Sequence, residues 1–511
     1  MNPMTKEIEN DFLQYIQKMT SFQEALNLLY WDMRTGAPKK GIQQRANVVG
    51  VLSSELFQMS VSDEMASFIA SLSPHEEKLS PTVAKILEEC KKEYHRNKKI
   101  PTQEYKEYII LQSKAENAWE QAKEESRFEL FRPYLEKIVE YKKRFIEYWG
   151  YEGHPYNALL DLYEPGVTVD VLDPVFKKVR TFLVDFVSKI QKSPHKPKTD
   201  FLFEYFPKEN QRLFSLQILK KMGYDLEAGR LDETIHPFEI ALNPGDVRVT
   251  THYNEQDFRV AIFGTIHEGG HAIYEQNIRH DLIGTPLCAG TSMGIHESQS
   301  LFYENFIGRH RHFWKKHFDL LKRYSNGQFD TVSIEEFYRA VNEVKPGLIR
   351  IEADECTYLL HIIIRYEIEK ALFQDEIQVK DLPEIWNLKY KEYLGVSPQN
   401  DGEGVLQDIH WAGGDFGYFP SYGLGLMYAA QFYYSMKKDL PDLEGLLETG
   451  QLIKIKEWLN QNVHQYGKLK KPLEILMDAT GEELNPEYFI RYIRNKYTDI
   501  YRLYSPENRH V

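Results

Sequence analysis

Five consecutive residues carry the sharpest chemical signal in the chain: His267, Glu268, Gly269, Gly270 and His271. On an α-helix each residue turns about 100° and rises about 1.5 Å, so the two histidines stand about 40° apart and one turn from each other. Imidazoles so placed can converge on a single zinc ion at about 2.0–2.1 Å. Glu268 lies about 60° from His271 around the axis. It is close enough to touch a water on the metal and wrongly placed to be a ligand, which is the position of a general base in metal-assisted hydrolysis. The two glycines each cost a helix roughly 1 kcal/mol relative to alanine. Tolerating them predicts close approach of another backbone, or of substrate, at that turn. A helix with two merely structural histidines is the alternative.

A catalytic zinc takes three protein ligands and keeps a fourth position open. Glu275 continues the helical series but sits about 12 Å along the axis from His267, so it is an outer partner or an exposed carboxylate. Glu297, 26 residues beyond His271 in His296-Glu297-Ser298-Gln299, is the favoured third ligand, with His296 and Asp281 as rivals. The interval holds a loop, Gly284-Thr285-Pro286 then Gly290-Thr291, and room for a returning helix. Two histidines and a glutamate form the ligand set of zinc peptidases.

The elements that must position these groups are mostly helical. Ile8, Phe12, Tyr15, Met19, Phe22, Leu26 and Leu29 recur at steps of three and four, the stripe of an amphipathic helix, and Gly36-Ala37-Pro38 stops it. Similar patterns over 41–60, 81–98 and 102–149 make residues 1–150 a set of long helices, able to act as a lid subdomain. Ser193 to Lys198 is an exposed connection. After Asp232 the texture changes: Ile235 to Leu242, the turn Asn243-Pro244-Gly245 and Asp246 to Thr251 predict a small hairpin. Helix resumes near Asp257, and a glycine-rich loop spans Ala412 to Pro420.

Composition bounds the function. With 511 residues, 42% hydrophobic and 27% charged, the chain has an ordinary globular make-up and ample core. Lys and Arg total 63 against 76 Asp and Glu, a net charge of −13, so no basic field draws it to nucleic acid or an anionic membrane. Tyr358 to Ile364, its longest strongly apolar run, is far short of a span of about 20 residues. The N-terminal stretch from Met1 to Glu7 has no apolar signal segment. Cys90, Cys288 and Cys356 lie far apart with no CxxC spacing. Reduced thiols in a cytoplasmic protein are expected.

Six segments together resemble the carboxypeptidase Taq family of metallocarboxypeptidases. They are His236-Pro237-Phe238, Asp246 to Thr250, the HExxH itself, His296 to Gln299, Ile349-Arg350-Ile351-Glu352-Ala353-Asp354, and Gly404 to Trp411. All occur in order, without departure from the family pattern. The resemblance implies a mainly α, neurolysin-like and angiotensin-converting-enzyme-like fold, with a deep groove and a small sheet next to the zinc site. It further implies one catalytic unit over 1–511 with its zinc and substrate core at 230–430. A homodimer is implied, acting on short or unstructured peptides. It would release C-terminal residues with broad tolerance, sparing C-terminal proline, with one Zn2+ per subunit and Co2+ as a substitute.

On this resemblance His267, His271 and Glu297 hold the metal and Glu268 is the catalytic base. A carboxypeptidase also needs a cation for the substrate's α-carboxylate. Arg350 is the first choice, against a structural ion pair with Glu352, Asp354 or a remote acid. Arg248 is the second, unless it orders the hairpin with Asp246. His410 and Tyr422 are candidate donors to the oxyanion, and Asp408 could orient His410 or a ligating imidazole. His236 and His252 line the groove or are satisfied buried imidazoles. Trp411 and Phe416 are core residues, and His310, His312 and His317 lie on a solvated basic face. Two other functions compete: an aminopeptidase or oligoendopeptidase on the same helix, and a helical scaffold with a structural metal.

Overall fold

The apolar stripe that begins at Ile8 folds as one helix of 33 residues, α1 (Pro3–Thr35), in the computed structural model, which describes residues 3–504. Met1 and Asn2, and residues 505–511, lie outside the described residues. Five helices follow: α2 (Ile42–Ser60), α3 (Asp63–Leu72), α4 (Pro81–Lys98), α5 (Thr102–Glu124) and α6 (Phe128–Trp149). Serine hydroxyls open two of them: Ser62 accepts from the Met65 N–H, and Ser80 from Val83, with Pro81 in the first turn. The 102–149 pattern divides into a helical hairpin at Ser126, whose φ of 51° makes the turn without a glycine. Tyr108 then packs edge-on against Phe145 at 5.0 Å.

These helices are tied to the rest of the fold at several places, two of them beside the sheet and the Gly404–Trp411 segment. From α1, the Asn27 amide donates to the Ala241 carbonyl at 2.9 Å. From α5, Trp119 and Lys123 donate to the carbonyls of Leu406 and Gln407 at 3.1 and 2.9 Å. The sheet has three strands in the order β1-β3-β2, where β1 is Leu231–Glu233, β2 Glu239–Asn243 and β3 Asp246–Thr251. β2 and β3 form the expected antiparallel hairpin, with Ile240 opposite Arg248. β1, parallel to β3, is an addition that three half-exposed residues gave no pattern to predict. Ile235 to Phe238 is not strand, and Ile235 is exposed.

The HExxH motif lies on a helix, Arg259–Gln276, that is buried nearly all round. It packs on the Val247 and Val249 face of the sheet, tied by the Thr251 hydroxyl, which donates to the Ala261 carbonyl at 3.1 Å. Its two glycines are explained by close approach. A Cβ on Gly269 would come to 2.5 Å of a Leu219 methyl, and one on Gly270 to 2.6 Å of the Gln299 carbonyl oxygen. Gln299 belongs to the glutamate helix, Met293–Leu301, which is capped by the Ser292 hydroxyl and runs on into a π-helical segment, Phe302–Gly308. A third helix, Phe419–Asp439, closes on it at Gly425, where a Cβ would sit 2.9 Å from the Glu297 side chain. The glutamate helix is therefore wedged between two helices that meet it through glycine, one at Gln299 and Ser300 and the other at Glu297.

One surface expectation is corrected. His317 is buried against Phe313, not on a solvated face, and His310 folds back to accept the His312 N–H at the start of helix Arg311–Tyr324. The Ser193–Lys198 connection is exposed at Pro194, His195, Lys196 and Lys198, while Ser193 is buried and donates to the Tyr501 carbonyl at 2.8 Å.

Candidate active site

His267, His271 and Glu297 bring three potential ligand atoms within 4.8 Å of one another, and they form the single such cluster among the described residues. The Nε2 atom of His267 is 3.7 Å from one Glu297 oxygen, and that of His271 is 3.5 Å from the other. Ligands about 2.0–2.1 Å from one tetrahedral ion lie about 3.3–3.4 Å apart, so the observed spacings fit a divalent ion to within a few tenths of an ångström. The donor set of two imidazoles and a carboxylate suits zinc.

The outward-facing nitrogens are already engaged. His267 Nδ1 is 2.9 Å from Glu304, whose other oxygen accepts from Arg309 Nη2 at 2.9 Å. His271 Nδ1 is 2.6 Å from His296 Nδ1, and His296 Nε2 is 2.9 Å from Glu275. Each imidazole is thus held at Nδ1 by a half-buried partner, with Nε2 turned toward Glu297. Glu164, buried, accepts from the Gly294 N–H and the Ser292 hydroxyl at 2.8 and 2.9 Å, pinning the start of the glutamate helix.

The electrostatics favour a cation. Burial alone would lower His267, but Glu297 and then Glu304 outweigh it and carry its pKa up to about 10. Burial takes His271 down to about 4, against the pull of the same Glu297. One carboxylate between two imidazoles supports one proton, and the field that holds a proton there also holds a metal. Glu304, although burial works against it, is lowered to about 2 by His267 and Arg309, so it is a fixed negative charge. Glu268 is raised to about 7 by burial, opposed by His267 and reinforced by Glu297.

The sequence candidates separate by place. Asp281 is exposed and paired with Arg279, away from the cluster. His296 stands behind His271 and does not face the ligand position. Glu275 is the outer partner, buried, and not an exposed carboxylate. Arg350 is buried and gives its Nη2 to Asp408 at 2.8 Å, so the remote-acid pairing is present, and Asp408 grips Arg350 instead of orienting an imidazole. The guanidinium lies 5.0 Å from the Tyr422 ring centre, and its Nη1 is 3.5 Å from the Tyr358 hydroxyl. Tyr358 and Tyr422 both lie within the field of Glu297. His410 stacks near Tyr418 and Phe419, and its buried Nδ1 has no hydrogen-bond partner.

Arg248 and His236 stand apart from the His267–His271–Glu297 cluster. Both Arg248 donors go to Asp246 at 2.7 Å, and the side chain lines a separate cavity of about 800 Å³ with Trp31, Arg45 and Arg230. His236 is exposed. Neither makes a hydrogen bond or ion pair with the cluster. His252 meets the Thr234 carbonyl at 3.2 Å. Trp411 is buried, donating to Glu369 at 2.8 Å beside the fully buried Phe416. Sequence reasoning missed Glu304, Arg309, Tyr358 and Glu164. Only Glu304 left a signal: seven residues past Glu297, it falls two helical turns along the same face.

The model of the family described as carboxypeptidase Taq (M32) metallopeptidase matches residues 11–497. The chain belongs to that family. This M32 chain is 57% identical over 495 residues to carboxypeptidase 1 of Bacillus subtilis (strain 168), covering 97% of this chain and 99% of the relative. It is 40% identical over 510 residues to thermostable carboxypeptidase 1 of Thermus thermophilus, covering 98% and 100%. The M32 carboxypeptidase of Deinococcus radiodurans R1 has the same fold, with a TM-score of 0.94 at 32% identity, over 97% of this chain and 100% of that one. The protein is accordingly a metallocarboxypeptidase, a peptidase of the hydrolase class. Membership sets aside both the aminopeptidase and the scaffold alternatives.

Proposed function

We propose that this M32 enzyme is a zinc carboxypeptidase that releases residues singly from the C-termini of short or unstructured peptides, with broad side-chain tolerance and with C-terminal proline spared. The convergence of His267, His271 and Glu297, with Glu268 on the same helix, carries the proposal. Those three residues hold the ion, which supplies a Lewis acid at the scissile carbonyl and makes nearby water more acidic. Co2+ fits the same donor set.

Glu268 takes the proton of the attacking water and delivers it to the leaving amine nitrogen. Its burial supports this role, since a carboxyl raised to about 7 can both accept and return a proton near neutrality. Tyr422 and His410, on the wall that includes Arg350, donate toward the oxyanion. Arg350 receives the substrate α-carboxylate through Nη1, the end of the guanidinium that Asp408 leaves free. Asp408 fixes the plane of that guanidinium, so the cation is oriented before substrate arrives.

The enzyme works in the cytoplasm as a homodimer. All three cysteines are free, and no described helix is long and apolar enough to cross a membrane. Light scattering tests the dimer, with a mass of about twice 60.2 kDa expected and 60.2 kDa contradicting it. The catalytic proposal is tested by mass spectrometry of a peptide with both ends free, using chelated and zinc-reloaded enzyme. Stepwise loss from the C-terminus, abolished by chelation, restored by one equivalent of zinc and halted when proline becomes terminal, is expected. Activity that survives complete chelation refutes it.

A further inference from the structure

The two imidazoles that face Glu297 are backed differently. Behind His267 stands a carboxylate, Glu304. Behind His271 stands another imidazole, His296, with Nδ1 facing Nδ1 at 2.6 Å and ring centres 4.6 Å apart. Two facing nitrogens share one proton, so one must donate and the other accept. Nε2 of His271 points at Glu297, 3.5 Å away. If that nitrogen offers its lone pair to a metal, the ring's hydrogen is on Nδ1, and His296 Nδ1 must be the acceptor. His296 then carries its own hydrogen on Nε2, where Glu275 accepts it at 2.9 Å.

This chain of tautomers is held rigidly. The same Glu275 oxygen also accepts the Gly290 N–H at 2.8 Å. A Cβ on Gly290 would come to 2.5 Å of the His296 ring, so the loop backbone presses directly on it. Tyr274 packs on His296 with ring centres 5.4 Å apart, and a Glu239 oxygen lies 3.9 Å from His296 Nε2. Glu275 is 5% exposed, which removes water as a competing acceptor.

We propose that His296 and Glu275 form a positioning relay that fixes the Nδ1–H tautomer of His271 and frees Nε2 for the metal. The proposal rests on the ligand assignment given above, and it gives His296 a task different from that of a ligand. Outer partners of this kind change metal affinity by about 10–100-fold when removed.

Zinc affinity is measured on the full chain by competition with a chromophoric chelator, with the unfolding midpoint of the metal-free protein recorded alongside. His296→Leu removes the acceptor and is expected to raise the zinc Kd about 10–100-fold. His296→Asn sets an amide oxygen where Nδ1 stood and is expected to stay within about threefold of wild type, a rescue that lost packing would not produce. Equal weakening in both variants, or wild-type affinity in folded His296→Leu, overturns the relay. Should His296→Leu fail to fold, Glu275→Met carries the test, because it leaves Nε2–H without its acceptor; an unchanged Kd overturns the proposal. Glu297→Ala keeps the two failures distinct: tight retention of one zinc by that variant overturns the ligand assignment itself.

Discussion

Adding one methyl group at Gly270 separates helix propensity from site geometry. Alanine in a helix interior is favoured over glycine by roughly 1 kcal/mol, so with free space Gly270→Ala stabilises the metal-free protein. The space is not free: the new Cβ would stand 2.6 Å from the Gln299 carbonyl oxygen and 2.7 Å from Ser300 Cα, both backbone atoms of the glutamate helix. Carbon atoms pack at about 3.5–4.0 Å, so that helix must retreat by roughly 0.8–1.3 Å. Overpacking of this kind costs about 1–3 kcal/mol and reverses the sign. Glu297 rides on the displaced helix, whereas metal–ligand distances tolerate only about 0.2 Å. A misplacement of about 1 Å costs about 10²-fold in turnover. Gly264 supplies the control on the same helix, since its Cβ would find nothing nearer than Thr251 Oγ1 at 3.9 Å. Urea unfolding of the metal-free proteins, zinc competition and kcat/KM on one peptide are measured for both variants. Gly264→Ala is expected to gain about 1 kcal/mol with activity unchanged, and Gly270→Ala to lose stability, zinc affinity and about 10² in kcat/KM. A Gly270→Ala protein as active and as stabilised as Gly264→Ala refutes the reasoning.

Glu268→Gln is expected to bind zinc like wild type and to lose about 10²–10⁴ in kcat, read by peptide hydrolysis at saturating zinc; wild-type turnover removes Glu268 from the chemistry. Amidating a peptide C-terminus is expected to lower kcat/KM about 10–100-fold, the worth of a charge-assisted hydrogen bond. That preference should vanish in Arg350→Met/Asp408→Asn, which leaves no unpaired buried acid; a preference that persists assigns the carboxylate to another residue. Burial raises Glu164 from 4.5 to about 7 in the folded protein. Its proton therefore stabilises the fold fully below about pH 4.5, and that contribution is lost as the pH rises through about 7. Between pH 4.5 and 8 wild type should lose up to about 3 kcal/mol relative to Glu164→Gln in urea unfolding; parallel pH profiles contradict this.

Residues that act within one helical turn were legible before the fold was known. The His267–His271 pair and the Ile8–Leu29 stripe follow from a period of 3.6 alone, and the cost of Gly269 and Gly270 already demanded a close neighbour. Identifying that neighbour as Gln299 needed the packing of two helices. Glu297 could be ranked ahead of Asp281 by ligand type, but the burial that separates them is a tertiary property. Arg350 shows the limit clearly. Its acid, Asp408, is 58 residues away, and no local pattern selects it over Glu352 or Asp354. Ser126 turned the chain with no glycine to mark it. His317 was hidden by its basic neighbours, because charge along a helix says nothing about the one face turned inward.

In the proposed site, two imidazoles from one helical turn and a distant carboxylate share a single ion. Anomalous diffraction at the zinc edge from zinc-loaded crystals tests it most directly. One strong peak is expected, at about 2.0–2.2 Å from His267 Nε2, His271 Nε2 and a Glu297 oxygen, with no fourth side chain bound. A peak coordinated by His296 or Glu268, or none between these three residues, contradicts the account.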